Sequence, residues 1–291
     1  ASVYFFEGNY DEAMAMFNAS RLDLLGNEER DDMTYRLATC YLKTGNVKEA
    51  AIWFEMLRST SKKYVADCTY YLSYIRYTQQ RYDDALTGFL SLQDNKKYKA
   101  LAPYYIAEIY LIKKNYDKAE IVAQNYLSAY PNNEYTAEMY RVLGDADYHF
   151  GKYHEAMGAF EKYLANNQEE APRRDALYML GLSYYHSGVY TKAANTLGEV
   201  ATGNDALSQN AYLHMGLAYL QMGDKNKARM AFEQASASNA NMQIKEQAAY
   251  NYALCIHETS YSAFGESVTV FEKFLNEFPN SQYVDKVSSY L

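Results

Sequence analysis

A short segment recurs along this 291-residue chain, and its regularity restricts the possible folds more than any other feature. The clearest copies are GNYDEAMAMF from Gly8, GNVKEAAIWF from Gly45, GKYHEAMGAF from Gly151 and GDKNKARMAF from Gly223. Weaker copies begin at Gln80, Lys114, Gly188 and Ser262. With the alanine as marker they fall at Ala13, Ala50, Ala85, Ala119, Ala156, Ala193 and Ala228, with Ser267 in the last. The successive spacings are therefore 37, 35, 34, 37, 37, 35 and 39 residues. Such a period marks an architecture of stacked repeats, in which each repeat buries its apolar face only against its neighbours.

A second pattern lies upstream of most copies, as in YRLATCYLKTG from Tyr35, YMLGLSYYHSG from Tyr178 and YLHMGLAYLQMG from Tyr212. Apolar and small residues recur there every three or four positions, as one face of a helix requires. Each repeat reads as helix, short turn, helix, the turn carrying Gly or a polar residue that can end the first helix in a left-handed conformation. Asp11, Asp83 and Asp117 follow the turn tyrosine, where a negative charge favours a helix start. Only 14 glycines and 4 prolines are present, too few for the turns of a β-sandwich or barrel, and a 49 % hydrophobic content argues against disorder. The expected fold is all-α: one solenoid over residues 1–291, with about seven to eight repeats and second helices starting near 10, 47, 82, 116, 153, 190, 225 and 264.

These residues resemble the tetratricopeptide repeat family, whose unit of about 34 residues has a small residue inside the first helix, a tyrosine after it, a turn glycine, then Tyr, Ala and a large apolar residue. The small position is held by Ala38, Ser73, Ala107, Gly144, Gly181, Gly216 and Cys255. Three residues later stand Tyr41, Arg76, Tyr110, Asp147, Tyr184, Tyr219 and Glu258, of which Arg76, Asp147 and Glu258 depart from the pattern. Pro131 and Pro279 close two of the repeats, as in the family. The resemblance implies a right-handed superhelix that binds proteins or peptides. On packing grounds alone the small residues let two helices approach, and Phe17, Phe54, Phe89, Phe160, Phe232 and Phe271 fill the space between repeats.

Several functions find no support. A formal charge of −8 repels a phosphate backbone, so nucleic acid is not the expected partner. No run approaches the roughly 18 consecutive apolar residues of a membrane-spanning helix. Cys40, Cys68 and Cys255 lack the spacing of a disulfide framework or zinc site and read as small buried residues. Nucleotide-binding, metalloprotease, esterase and EF-hand motifs are missing. His149 and His186 hold equivalent places in successive repeats, with Asp145 nearby, but adjacent repeats stand roughly 10 Å apart and no ligand motif accompanies them. We therefore expect no catalytic residues, no metal and no cofactor.

What remains is a binding surface rich in tyrosine, which supplies 33 residues against 12 Phe and 1 Trp. In stacked helical pairs the first helices line the inner side. Helical spacing from the small positions places Tyr35, Tyr70, Tyr74, Tyr77, Tyr104, Tyr148, Tyr178, Tyr185 and Tyr252 there, and Arg141 with them. Tyr10, Tyr82, Tyr116, Tyr153 and Tyr190 sit beside the turns and read as packing. Asp32, Asp67, Glu108, Glu138, Asp145 and Asp175 outnumber Lys43 and Arg141 on the inner face, which suggests a neutral, basic or apolar partner segment. Family members that grip a terminal carboxylate use Lys and Asn where this chain has Tyr35 and Thr39, so that clamp is not expected. The leading expectation is a non-catalytic protein- or peptide-binding scaffold. The ending FLNEFPNSQYVDKV resembles repeats of bacterial outer-membrane assembly lipoproteins, which implies a periplasmic or cell-envelope factor as an alternative. A regulatory arm of an enzyme catalysing elsewhere in a longer chain is another. Both ends read as open, so the array is expected to continue beyond this segment and could self-associate.

Overall fold

The structure, a computed structural model, describes residues 1–19, 24–260 and 265–291. It forms two compact units, Ala1–Tyr135 and Thr136–Leu291. The first contains α1 (Ser2–Phe6), α2 (Tyr10–Ala19), α3 (Asn27–Lys43), α4 (Val47–Thr60), α5 (Val65–Thr78), α6 (Tyr82–Leu90), α7 (Ala102–Ile112) and α8 (Tyr116–Ala129). The second contains α9 (Thr136–His149), α10 (Tyr153–Asn166), α11 (Arg174–His186), α12 (Tyr190–Val200), α13 (Ala206–Gln221), α14 (Lys225–Ala237), α15 (Met242–Thr259), α16 (Glu266–Glu277) and α17 (Val284–Ser288). There is no strand among the described residues, and the fold is an all-α repeat solenoid. The helix start expected near 264, and part of the repeat segment from Ser262, lie outside the described residues.

Within each unit the odd-numbered helices from α3 to α15 carry the small positions and the even-numbered helices carry the marker alanines. A first helix packs on the second helix of its own repeat and also on the second helix of the repeat before it, as α5 does on α6 and α4, or α13 on α14 and α12. The close approach is literal. A methyl group added at Gly144 would stand 3.0 Å from the ring of Phe160; at Gly181 it would meet Leu197 at 2.6 Å, and at Gly216 Phe232 at 2.5 Å. All seven marker alanines are fully buried, and Phe17, Phe54, Phe89, Phe160, Phe232 and Phe271 are at most 1 % exposed, so the recurring segment is the core itself. Cys40, Cys68 and Cys255 are free thiols in that core, where burial pushes them up to about 11, 12 and 11.

The seven turns within repeats that are fully described share one geometry. In the α3–α4 turn the Gly45 amide donates to the Leu42 carbonyl and the Asn46 amide to the Tyr41 carbonyl, the paired bonds that close a helix through a left-handed residue. Gly45 sits at φ +84°, and four further turn glycines behave alike. At the same place two repeats have Gln80 (φ +62°) and Lys114 (φ +57°), where a Cβ makes the conformation costly. We expect Gln80→Gly to raise stability by about 0.5–1 kcal/mol, the relief outweighing the added chain entropy. Ala156→Leu and Gly216→Ala should each lower it by about 1–3 kcal/mol through overpacking. Urea unfolding monitored by circular dichroism checks all three, and an unchanged midpoint for Ala156→Leu would remove that residue from the core.

Candidate functional site

The nine tyrosines expected on the first-helix face are all half-buried. In the N-terminal unit, helical phase brings Tyr70, Tyr74 and Tyr77 onto one side of α5, facing Tyr104 and Tyr105 of α7. Tyr105 is the centre of this group and was not among the expected residues. Its ring lies 6.3, 6.1, 5.3 and 5.1 Å from those of Tyr70, Tyr74, Tyr77 and Tyr104, each edge to face, and stacks on Phe89 at 4.6 Å. In the preceding repeat Tyr71 has the equivalent role, stacked on Phe54 at 5.0 Å and 6.2 Å from Tyr35. Burial raises the Tyr35 and Tyr70 phenols above the ordinary tyrosine value, and the neighbouring Tyr71 and Tyr105 add to the shift. These hydroxyls stay protonated across the neutral range.

The linkers contribute a second, unforeseen element. Tyr64 stacks on Tyr35 at 4.5 Å, and Tyr98 on Tyr70 at 4.8 Å. The Tyr64 hydroxyl donates to Asp32 and that of Tyr98 to Asp67. The preceding lysines join the same carboxylates, Lys63 at 3.1 Å and Lys97 at 2.7 Å. The recurring KKY at 62–64 and 96–98 is the sequence trace of this clasp.

In the C-terminal unit the expected residues are dispersed. Tyr148 meets Tyr153 edge to face at 5.7 Å, and Tyr185 meets Tyr190 at 5.8 Å. Tyr77 and Tyr82 repeat that contact at 5.8 Å in the N-terminal unit, so these turn tyrosines pack against the first-helix tyrosine five residues before them. The Tyr178 oxygen accepts from the Asn210 amide. Tyr252 borders an open cavity of about 320 Å³ between α14, α15 and α16. Arg141 differs from the tyrosines: it is 2 % exposed, with its Nε 2.8 Å from Glu138 one turn earlier on α9, so its side chain is buried rather than displayed. His149 pairs with Asp145 at 2.9 Å, while His186 stacks on Tyr153 at 4.3 Å and neighbours His214. No group of three His, Cys, Asp or Glu residues among the described residues is placed to hold a metal.

In each unit the carboxylates of the first helices are engaged or enclosed within the chain. Asp32 and Asp67 are held by the clasps, Glu138 by Arg141, Asp145 by His149, and Asp175 by Arg173 at 2.7 Å; Glu108 is buried. Within each unit the first-helix tyrosines thus lie among carboxylates that are already paired or enclosed.

Hydrogen bonding from Tyr64, followed by Lys63, holds the Asp32 carboxyl below the usual carboxylate range. A lowered folded value stabilises above the ordinary pKa of about 3.9 and is lost as pH falls through the folded value. Tyr64→Phe should therefore cost roughly 1 kcal/mol at neutral pH, with the difference from wild type shrinking below about pH 4. Thermal unfolding of both proteins across that range checks the sign.

Residues 1–64 and 70–134 match the family model described as Tetratricopeptide repeat. Residues 149–235 match the model described as Anaphase-promoting complex, cyclosome, subunit 3. No curated protein matches the sequence. Among solved structures, the C-terminal part of a TPR repeat-containing protein from Cytophaga hutchinsonii aligns over 84 % of this chain and 96 % of its own, with TM-score 0.62 and 17 % identity. A tetratricopeptide repeat protein from Parabacteroides merdae aligns over 88 % and 95 %, with TM-score 0.54 and 17 % identity. YrrB, described as a TPR protein with an unusual peptide-binding site, aligns over 65 % and 94 %, with TM-score 0.53 and 17 % identity. The small-residue contacts, the left-handed turns and these matches agree, and the chain belongs to the tetratricopeptide repeat family.

Proposed function

We propose that this chain is a non-catalytic scaffold that binds an extended segment of a partner protein, with the tyrosines of α5 and α7 as its principal contact surface. The observation that carries this reading is the group gathered around Tyr105: four half-buried tyrosines from two successive first helices, on a face whose carboxylates are paired or enclosed. Tyrosine offers large contact area at low entropic cost and keeps a hydroxyl for the partner's backbone. The paired carboxylates favour a neutral segment over a basic one. The fold shared with YrrB, whose description names a peptide-binding site, is consistent with such a role.

A pull-down with wild type and a Tyr70→Ala, Tyr74→Ala, Tyr104→Ala variant tests the reading. We expect the variant to lose partners that wild type retains; recovery of the same partners by both would contradict it. Because the surface carries paired charges, capture should survive a rise from about 0.1 to 1 M salt, where an attraction between unpaired exposed charges would be screened.

A further inference from the structure

Arg76 stands where the repeat pattern has a tyrosine, and the groove reading leaves it unused. Its guanidinium takes over the contact that this tyrosine makes elsewhere. Tyr41 bonds Asn18 and Tyr184 bonds Glu161 on the preceding second helix, and Arg76 Nη2 lies 2.8 Å from Glu55 on α4. Glu55 also binds Arg58 at 2.7 Å, and Arg81 pairs with Asp84 at 2.7 Å. The three arginines line one open cleft of about 360 Å³ between α4, α5 and α6, together with Asp84, Gly88 and the side chains of Thr69, Thr87 and Ser91, whose hydroxyls donate to the Val65, Asp83 and Gly88 carbonyls.

The fold supplies its own control. A cleft of about 410 Å³ in the C-terminal unit is lined at positions 143 residues further on: Tyr212 for Thr69, Tyr219 for Arg76, Met230 for Thr87 and Gln234 for Ser91. The residues at the same offset from Arg58 and Arg81 are Ala201 and Asp224. One groove of the repeat thus carries two tyrosines and two methionines beside Lys227, Glu233 and Gln234 in one place, and three arginines beside Asp84 in the other. Three guanidinium groups against Glu55 and Asp84 leave one excess positive charge in a chain of net charge −8. Each ion pair engages one terminal nitrogen of its arginine, while a guanidinium carries five N–H donors in a planar fork that suits tetrahedral oxyanions. Glu55 further fixes Arg58 and Arg76 side by side.

We propose that the cleft formed by Arg58, Arg76 and Arg81 binds a phosphate group, either as the free anion or carried on a phosphorylated side chain. The test is calorimetric titration with inorganic phosphate, with a phosphoserine peptide and with the unphosphorylated peptide. It uses wild type, an Arg58→Gln, Arg81→Gln variant that retains the Arg76 to Glu55 contact, and Lys227→Gln in the C-terminal counterpart as the control for general charge. Phosphate or phosphopeptide binding should weaken by about tenfold or more in the double variant and stay at the wild-type level in Lys227→Gln. Much tighter binding of the phosphopeptide than of phosphate would identify a modified partner as the source, and equal binding the free anion. Should the double variant unfold, the side-chain Nε–H resonances of Arg58, Arg76 and Arg81 in the wild type provide the readout and should shift on adding phosphate. Absence of binding, or equal loss in the double variant and Lys227→Gln, or arginine resonances that do not move, would overturn the proposal.

Discussion

The structure depends on the contact between a small residue in the middle of one helix and a large apolar residue of the next. Where the first helix carries Gly144, Gly181 or Gly216, the facing Phe160, Leu197 or Phe232 leaves no room for a methyl group. That distance sets how closely two helices pair, and the pairing sets which side of each first helix is left for other contacts. The left-handed turn residue reverses the chain in the same register each time, so the geometry propagates from repeat to repeat within each compact unit.

On the side of the first helices left by this packing, the tyrosines form two kinds of structure. Of those next to the turns, Tyr82, Tyr153 and Tyr190 pack edge to face against a tyrosine five residues earlier, and Tyr10 packs in the same way on Phe5. Those further along α5 and α7 converge on Tyr105, while Tyr64 and Tyr98 reach back from the linkers to stack on Tyr35 and Tyr70. The clasps do a second job, since each brings a lysine and a phenol to one carboxylate and so removes an unpaired charge from the face. The resulting chemistry is aromatic and hydroxyl-bearing, with most of the neighbouring carboxylates engaged by side chains of the same chain.

Most of the fold was legible because the repeat is a packing rule: Ala156 and Phe160 recur in kind wherever the same contact recurs. The shared side of Tyr70, Tyr74 and Tyr77 on α5 was legible for the same reason, through periodicity. What was not legible depends on contacts between segments. Tyr105 lies one residue from Tyr104, and only the position of Phe89 on the preceding helix shows that it is the centre of the group. The KKY linkers carried a visible recurrence, but the partner carboxylates stand about 30 residues away, and no local spacing joins them. The acidic excess was read from side chains counted singly, whereas the structure pairs Asp32, Asp67, Glu138, Asp145 and Asp175 inside the chain. Arg141 follows the same logic: its phase suits the face, but burial beside Glu138 removes it from the surface.

The central claim is that the tyrosine-bearing side of α5 and α7, and not the second-helix surface, meets the partner. Site-specific photo-crosslinking tests it most directly, with a photoreactive phenylalanine analogue placed at Tyr74 or at the exposed Ile121 of α8 and the captured partner present. Crosslinks to the partner are expected from position 74 and none from position 121. Crosslinks from 121 alone would contradict it.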